Sequence, residues 1–199
     1  DIDMADEFLN KAKQYIDKVK DKPFFLFYTL QQPHVPRTPH PRFVGSSGMG
    51  PRGDVIKEAD WCIGEIYNHL EKNNLLENTL IIISSDNGPV LNDGYYDDAV
   101  EKIGDHTPFG ILRGGKYSLF EAGTKVPFIT YWKNKIEPQV SNEMVSQIDY
   151  LNSISSLIGS EIRSTDGVDL SDVFFKNKGL GRDDLVIDCL LYTSDAADD

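Results

Sequence analysis

Apolar side chains recur every three or four residues in three parts of the chain, a spacing typical of amphipathic helices. It predicts helices over residues 3–20, 54–73 and 146–159. The Asp21-Lys22-Pro23 stretch ends the first helix, and Asp54 can cap the second. The apolar positions expected to face the core are Met4, Phe8, Ala12, Tyr15, Ile16 and Val19 in the first helix, Ile56, Ala59, Ile63, Ile66, Tyr67 and Leu70 in the second, and Ile148, Leu151, Ile154, Leu157 and Ile158 in the third.

Short apolar runs predict three buried strands over residues 24–30, 79–84 and 126–132. The order strand, helix, strand, long excursion, strand, helix indicates the α/β class, in which helices cover both faces of buried strands. In such folds the chemistry collects in loops that leave the carboxyl ends of strands.

The segments between these elements are irregular. Residues 31–41 hold four prolines, which predicts a rigid loop after the first strand. Residues 45–53 form a glycine-rich connector. Residues 90–110 are polar, and a long irregular loop inside a compact domain is usually functional or disordered.

Composition and charge limit the classes of function and partner that this chain can have. The chain has 199 residues, 40% hydrophobic and 26% charged, as in an ordinary globular domain. A formal charge of −12 argues against nucleic acid as a partner, so positive charge for an anionic ligand must be concentrated locally. No apolar run is long enough to span a membrane. The two cysteines, Cys62 and Cys189, form no disulfide or metal framework, and Cys62 is expected in the core.

Residues that could bind a ligand or act in catalysis follow two of the predicted strands. Asp86 and Asn87 offer hard oxygen ligands of the kind that calcium or magnesium prefers, and Gly88 lets the backbone turn sharply. An ordinary Asn-Gly turn is the alternative for that segment. His34 could bind an oxyanion or protonate a leaving oxygen, and Lys116, after two glycines, could anchor a sulfate or phosphate oxygen.

Each of these two residues also has a plain structural explanation, as a loop histidine or a surface lysine. The chain contains no Gly-x-x-x-x-Gly-Lys-Ser/Thr loop and no Gly-x-Ser-x-Gly elbow. Nucleotide hydrolysis and serine-esterase chemistry therefore have no support in the sequence.

In this order and spacing the segments resemble the sulfatase family, the arylsulfatase-like enzymes of the alkaline-phosphatase-type superfamily. The segments that carry the resemblance are Lys22-Pro23-Phe24-Phe25-Leu26, Pro33-His34-Val35-Pro36, Gly53-Asp54-Val55 with Asp60-Trp61, Thr79 to Gly88, Arg113-Gly114-Gly115-Lys116, and Glu121-Ala122-Gly123 through Val126-Pro127-Phe128. The resemblance implies a partial α/β/α sandwich, from the C-terminal side of the large domain, and hydrolysis of a sulfate monoester.

The resemblance also implies roles for individual residues. Asp86 and Asn87 match the Asp-Asn pair that, with two upstream aspartates, binds one divalent cation, usually Ca²⁺. His34 and Lys116 match the histidine and lysine that grip the sulfate and assist the leaving group. The family nucleophile is a formylglycine hydrate made from the Cys or Ser of a Cys/Ser-x-Pro/Ala-x-Arg motif, which this chain lacks.

The departures from the family pattern indicate a fragment. The nucleophile motif, the upstream aspartates and the activating arginine are expected before Asp1, so the fragment alone should be inactive. Residues 1–188 are then part of a catalytic domain that runs toward the small C-terminal subdomain. Residues 189–199 resemble the translation of a common sequencing adapter and are expected to be a non-native tail. Ala122 and Lys125 replace a usual glycine and arginine.

Two other functions remain open. One is a phosphodiesterase or phosphonate hydrolase of the same superfamily, and the other is a non-catalytic relative that binds sulfated glycans. We expect the 90–110 excursion to shape the pocket for a small-molecule or glycan sulfate ester, with His106 the best candidate for a substrate contact, although a solvated surface loop is the alternative. Family members are usually exported, so a periplasmic or extracellular location is expected.

Overall fold

The computed structural model describes residues 2–161, 165–176 and 178–187. The chain divides into two compact units. Unit 1 comprises residues 1–76 and 87–125, and unit 2 comprises residues 77–86 and 126–199. The predicted non-native tail, residues 189–199, lies outside the described residues.

Unit 1 is built on two helices, α1 (Met4–Val19) and α2 (Gly50–Lys72), with a short helix α3 (Glu121–Thr124). A 3₁₀ turn at Pro41–Phe43 follows the proline-rich loop. The helices enclose a small core in which Cys62 is fully buried, as predicted. Burial raises the pKa of the Cys62 thiol to about 11, so the thiol is an apolar packing group rather than a nucleophile. The other members of this core are Ala5 and Leu9, with Tyr28, Leu30, Trp61 and Ile66 packed against them.

The extent of α1 was predicted to within a residue at each end, but its buried face was not. Ala5, Leu9, Ala12 and Ile16 are buried, whereas Met4, Phe8 and Tyr15 are exposed. The buried face is shifted from the predicted one because Ala5 and Leu9 pack against Cys62 of α2.

The predicted cap of α2 was wrong. The helix begins at Gly50, with Pro51 in its first turn. Asp54 lies inside the helix and its carboxylate accepts hydrogen bonds from Gly45 N at 2.8 Å, Ser47 N at 2.9 Å and Ser47 Oγ at 2.6 Å. Burial alone would raise the pKa of Asp54, but these bonds outweigh it and lower the pKa. Asp54 therefore fixes the preceding loop and does not cap the helix.

The segment 24–30 was predicted as a fully buried strand, and this was wrong. It is extended, but within the described residues it pairs with no other strand. Its side chains alternate, with Tyr28 and Leu30 packed against the helices while Phe25 and Phe27 are 74% and 79% exposed. Only one face of the segment is covered. A fully buried strand would need a hydrogen-bonded neighbouring strand and a second layer over its other face.

Unit 2 contains an antiparallel pair of strands, β1 (Ile81–Ser84) and β2 (Phe128–Tyr131), with Ile81 opposite Tyr131. Both strands are shorter than predicted. A 3₁₀ turn at Gln147–Asp149 leads into α4 (Tyr150–Leu157), and α5 (Ser171–Lys176), which the apolar spacing did not predict, completes the core. That core consists of Leu170, Val173, Phe174 and Phe175, with Leu80, Ile82, Phe128, Ile136, Val145, Tyr150, Ile154 and Leu157 against them.

The buried face of α4 also differs from the prediction. Ile154 and Leu157 pack on the core as expected, but Ile148, Leu151 and Ile158 are exposed. Polar side chains of α4 are buried instead, because they form hydrogen bonds with the backbone of residues 165–170. Asn152 Nδ2 donates to Gly167 O at 2.5 Å, and Leu170 N donates to Ser153 Oγ at 2.9 Å.

Asp149 is a fully buried carboxylate in unit 2. Arg182 donates to it through Nε at 2.9 Å and Nη2 at 2.7 Å, and the backbone N–H groups of Ser146 and Val168 each donate at 2.9 Å. Burial would raise the pKa of Asp149, but these hydrogen bonds hold it below the usual 3.8. A group with a depressed folded-state pKa stabilises the fold above its unfolded pKa, and that contribution disappears as the pH falls through the folded value.

We therefore expect Asp149→Asn to lower the free energy of unfolding by about 3 kcal/mol, because it leaves a largely buried guanidinium without its counter-charge. Urea unfolding followed by Trp132 fluorescence measures this. The Asp172→Asn variant, at an exposed pair with Lys176, is the control and should change stability little. Equal stabilities of the two variants near neutral pH, or an unchanged acid unfolding midpoint for Asp149→Asn, would contradict the assignment.

Candidate active site

The candidate site begins where β1 ends. Ser85 and Asp86 follow the strand, and the Gln147 side-chain amide donates to the Ser85 carbonyl oxygen. Ser85 Oγ lies 3.4 Å from Asp86 Oδ1, and Asp86 is exposed. The carboxylate therefore stands at the end of an apolar strand, as the sequence predicted, with its backbone fixed from a neighbouring helical segment of the same unit.

Asn87 and Gly88 open the second segment of unit 1. Asn87 Nδ2 donates to the Gly88 carbonyl at 2.9 Å, which orients the side-chain amide. Gly88 N donates to Gly123 O at 2.8 Å, and a Cβ on Gly88 would lie 1.6 Å from Ala122 O. Gly88 does not have a positive φ. Glycine is therefore required here for close backbone approach, and the predicted sharp turn is not the reason.

Lys116 is held beside this segment by its own backbone. Its N–H donates to Pro89 O at 2.9 Å, two residues beyond Asn87. Gly114 has φ +91°, and a Cβ on Gly115 would lie 2.7 Å from both Pro89 O and the Phe109 ring. The two glycines before Lys116 therefore let the backbone of the lysine lie against the segment that follows Asn87.

His34 lies in the proline-rich loop and is exposed. Its Nδ1 is 2.9 Å from the Val35 carbonyl oxygen. Because a carbonyl can only accept, this contact assigns the hydrogen to Nδ1. Nε2 is then the ring nitrogen that can exchange a proton with a ligand.

Arg37 was missed in the sequence and joins the two loops of the site. Its guanidinium donates to Pro33 O at 3.2 Å, Val90 O at 2.9 Å and Leu91 O at 3.3 Å. It thereby ties the residue before His34 to the segment that follows Pro89. The sequence context of Arg37 could have revealed this role, because it is an arginine within a stiff proline-rich loop of an acidic chain.

His106 is half-buried, and its backbone N–H donates to Ile103 O at 3.3 Å. The nearby Phe109 ring lies against Gly115, so the end of the excursion reaches the lysine segment. A substrate contact for His106 stays a prediction.

The donor set for a metal is small. Within residues 2–161, 165–176 and 178–187, no group of three or more His, Cys, Asp or Glu side chains could hold a metal ion. The Asp86 carboxylate and the Asn87 amide oxygen suit a hard divalent cation, but two ligands leave most of its coordination sphere to other groups.

No helix in the described part is both long enough and apolar enough to cross a membrane.

The Sulfatase family profile matches residues 3–160. The chain belongs to the sulfatase family.

Individual relatives agree with this assignment. The chain is 53% identical over 158 residues to N-acetylgalactosamine-6-O-sulfatase of Bacteroides thetaiotaomicron, covering 79% of this chain and 31% of the relative. It is 33% identical over 154 residues to human arylsulfatase A, covering 76% of this chain and 29% of the relative. The chain thus spans about a third of the length of these relatives.

Solved structures show the same fold. A Bacteroides thetaiotaomicron 6S-sulf protein, solved in a study of the metabolism of multiple glycosaminoglycans, matches with a TM-score of 0.88 and 46% identity over 91% of this chain and 38% of that one. A Pseudoalteromonas sulfatase matches with a TM-score of 0.80 and 29% identity over 93% of this chain and 37% of that one. The predicted fold of the alkaline-phosphatase/sulfatase type is confirmed.

Proposed function

We propose that the chain is part of the catalytic domain of a sulfuric ester hydrolase that converts ROSO₃⁻ and water to ROH and sulfate. The observation that carries this proposal is the backbone arrangement of Gly88, Gly115 and Lys116. Lys116 N is bonded to Pro89 O, so the backbone of a cationic residue is held beside the segment that carries the candidate metal ligand Asn87. An acidic chain that handles an anion needs such a local concentration of positive charge.

Each residue of the site has a role in this reaction. Lys116 binds the sulfate oxygens and stabilises their charge in the transition state. With a hydrogen on both ring nitrogens, His34 keeps the Nδ1 hydrogen on the Val35 carbonyl oxygen and gives the Nε2 proton to the leaving alcohol oxygen. Asp86 and Asn87 supply two oxygen ligands to one divalent cation, Ca²⁺ in this proposal.

The nucleophile comes from outside these 199 residues, because they contain no Cys/Ser-x-Pro/Ala-x-Arg motif. Formylglycine, when present, supplies the hydroxyl that attacks sulfur. Residues 1–188 belong to the catalytic domain, and the segment alone is expected to be inactive.

The substrate we propose is a sulfated glycan. The relative with 53% identity is an N-acetylgalactosamine-6-O-sulfatase, and the structure with 46% identity comes from work on glycosaminoglycans. The 90–110 excursion, including His106, lines the side of the site that receives the sugar. A periplasmic or extracellular location suits such a substrate.

The complete enzyme, meaning a sulfatase polypeptide that contains these residues, is expected to release sulfate from 6-sulfated N-acetylgalactosamine. Removing divalent cations with a chelator should abolish turnover, and Ca²⁺ should restore it. The Asp86→Ala variant should need a higher Ca²⁺ concentration for half-maximal activity, since it removes a charged ligand. Asp60→Ala, on α2, is the control.

Ion chromatography of released sulfate, measured against Ca²⁺ concentration, checks this expectation. A complete enzyme that releases no sulfate from any sulfate ester, or that hydrolyses phosphate diesters in preference, would refute the proposed function. An Asp86→Ala variant with an unchanged Ca²⁺ requirement would refute the ligand assignment alone.

A further inference from the structure

The lysine of the candidate site lies in a tight turn over residues 115–118. Ser118 N donates to Gly115 O at 3.1 Å, which closes the turn. The Ser118 hydroxyl adds two bonds, accepting from Gly115 N at 3.0 Å and donating to Gly115 O at 2.8 Å. The turn also packs against Gly123, where an added Cβ would lie 2.6 Å from both Gly115 O and Ser118 O. The surrounding contacts therefore fix the conformation of the turn.

Tyr117 occupies the third position of this turn in a conformation that its side chain disfavours. Its φ is +71°, in the left-handed region, whereas Lys116 before it has no positive φ. A positive φ at the third position alone is the pattern of a type II turn, in which that position is normally glycine or asparagine. A bulky aromatic residue is strained there, and strain of this kind is concentrated at functional sites. Glycine would suit the backbone better, which indicates that the ring of Tyr117 is what this position requires.

The ring of Tyr117 does not serve the apolar cores. It is 48% exposed and belongs to neither of the two core clusters. Instead, Lys116 Nζ lies 5.3 Å from the centroid of the Tyr117 ring, within the range of a cation–π interaction. In the part of the chain that the structure describes, the Lys116 ammonium has no carboxylate or hydrogen-bond partner. The ring is therefore the group that the ammonium contacts.

We infer that Tyr117 is a positioning residue for the proposed reaction, and that its ring holds the Lys116 ammonium in the orientation that binds the sulfate oxygens. A lysine charge sits on a flexible four-carbon stem, so a fixed backbone alone does not place it. A neutral ring attracts the ammonium without cancelling its charge, whereas a carboxylate partner would compete with the sulfate. This inference rests on the proposed function and assigns no substrate contact to Tyr117.

Three replacements of Tyr117 in the complete enzyme separate the ring from the backbone strain. Phenylalanine keeps the aromatic face and leucine removes it, while both keep the strained backbone. Tyr117→Leu is expected to weaken inhibition by inorganic sulfate about three- to thirtyfold, as for the loss of one cation–π contact. It should lower kcat/KM by a similar factor for both 6-sulfated N-acetylgalactosamine and nitrophenyl sulfate. Tyr117→Phe should stay close to the parent enzyme.

The third replacement, Tyr117→Gly, separates positioning from folding. Glycine relieves the strain, so this variant should unfold at the same urea concentration as the parent or a higher one. It should nevertheless lose sulfate inhibition and turnover as Tyr117→Leu does. Asn74→Gly is the matched control, because Asn74, just after α2, also has a positive φ, +58°. Its replacement should leave turnover and sulfate inhibition unchanged.

A double variant tests whether Tyr117 acts through the lysine. In a Lys116→Ala enzyme, Tyr117→Leu should weaken sulfate inhibition no further. Additive effects of the two substitutions would overturn the inference, and so would equal activity of the Tyr117→Leu and Tyr117→Phe enzymes. A loss confined to the sugar ester would also overturn it, since Tyr117 would then contact the alcohol portion. A parent enzyme that cleaves no sulfate ester would instead overturn the proposed function.

Discussion

Replacing Lys116 with alanine in the complete enzyme is expected to lower kcat/KM for a sulfate ester by about 10²–10³-fold, the usual cost of removing one preorganised group that stabilises transition-state charge. The backbone of Lys116 is fixed to Pro89 O at 2.9 Å, and Gly115 is packed against Pro89 and Phe109. The Lys116 side chain therefore extends from a backbone that is held in place, which favours preorganisation of its charge.

The measurement is initial-rate sulfate release, with Lys102→Ala as the control. Lys102 is an exposed lysine of the same unit that pairs with Asp98, and its replacement should leave turnover unchanged. A Lys116→Ala enzyme with the turnover of the control would refute the role of Lys116. Inorganic sulfate should also inhibit the variant more weakly, which separates loss of sulfate binding from a general loss of folding.

The second large effect concerns stability. Gly88→Ala is expected to lower the free energy of unfolding by about 3 kcal/mol or more, at the upper end of overpacking effects. A Cβ there would lie 1.6 Å from Ala122 O and 3.0 Å from Gly123 Cα. Both obstacles are backbone atoms, so no side-chain rotation can relieve the contact.

Gly64→Ala provides the matched control. Gly64 lies within α2, and a Cβ added there meets nothing within 4 Å. Alanine should stabilise the helix at this position by about 0.5–1 kcal/mol. Urea unfolding of the chain, followed by circular dichroism, measures both variants. If Gly88→Ala is as stable as Gly64→Ala, the close packing of the Gly88 and Ala122 segments is wrong.

The sequence supplied the candidate residues of the site, and their roles stay predictions. Asp86 and Asn87 follow an apolar run, and two glycines precede Lys116, so both local patterns pointed to chemistry. The family resemblance then joined these segments, and the family profile over residues 3–160 confirms it. The role of His106 was assigned only from its position in a long loop, and it stays a prediction.

Side-chain burial was harder to predict than helix position. The bounds of α1 follow from its periodicity, but its buried face contains Ala5 and Leu9 in place of Met4 and Phe8. The 24–30 run shows the same limit, because its pattern predicts a strand but cannot supply a pairing partner. Burial depends on what covers a side chain, and the covering residues are distant in the sequence.

The sequence by itself determined α1, the approximate positions of α2 and α4, the end of β1 just before the Asp86-Asn87 pair and the family to which the chain belongs, because these depend on local periodicity and on residue order. Only the tertiary structure decided why position 88 must be glycine and what Arg37 holds together. Those answers come from contacts between residues 34 and 53 positions apart, Gly88 with Ala122 and Arg37 with Val90. No local pattern encodes them, since the close approach of two backbones and the burial of a charge exist only after the chain has folded.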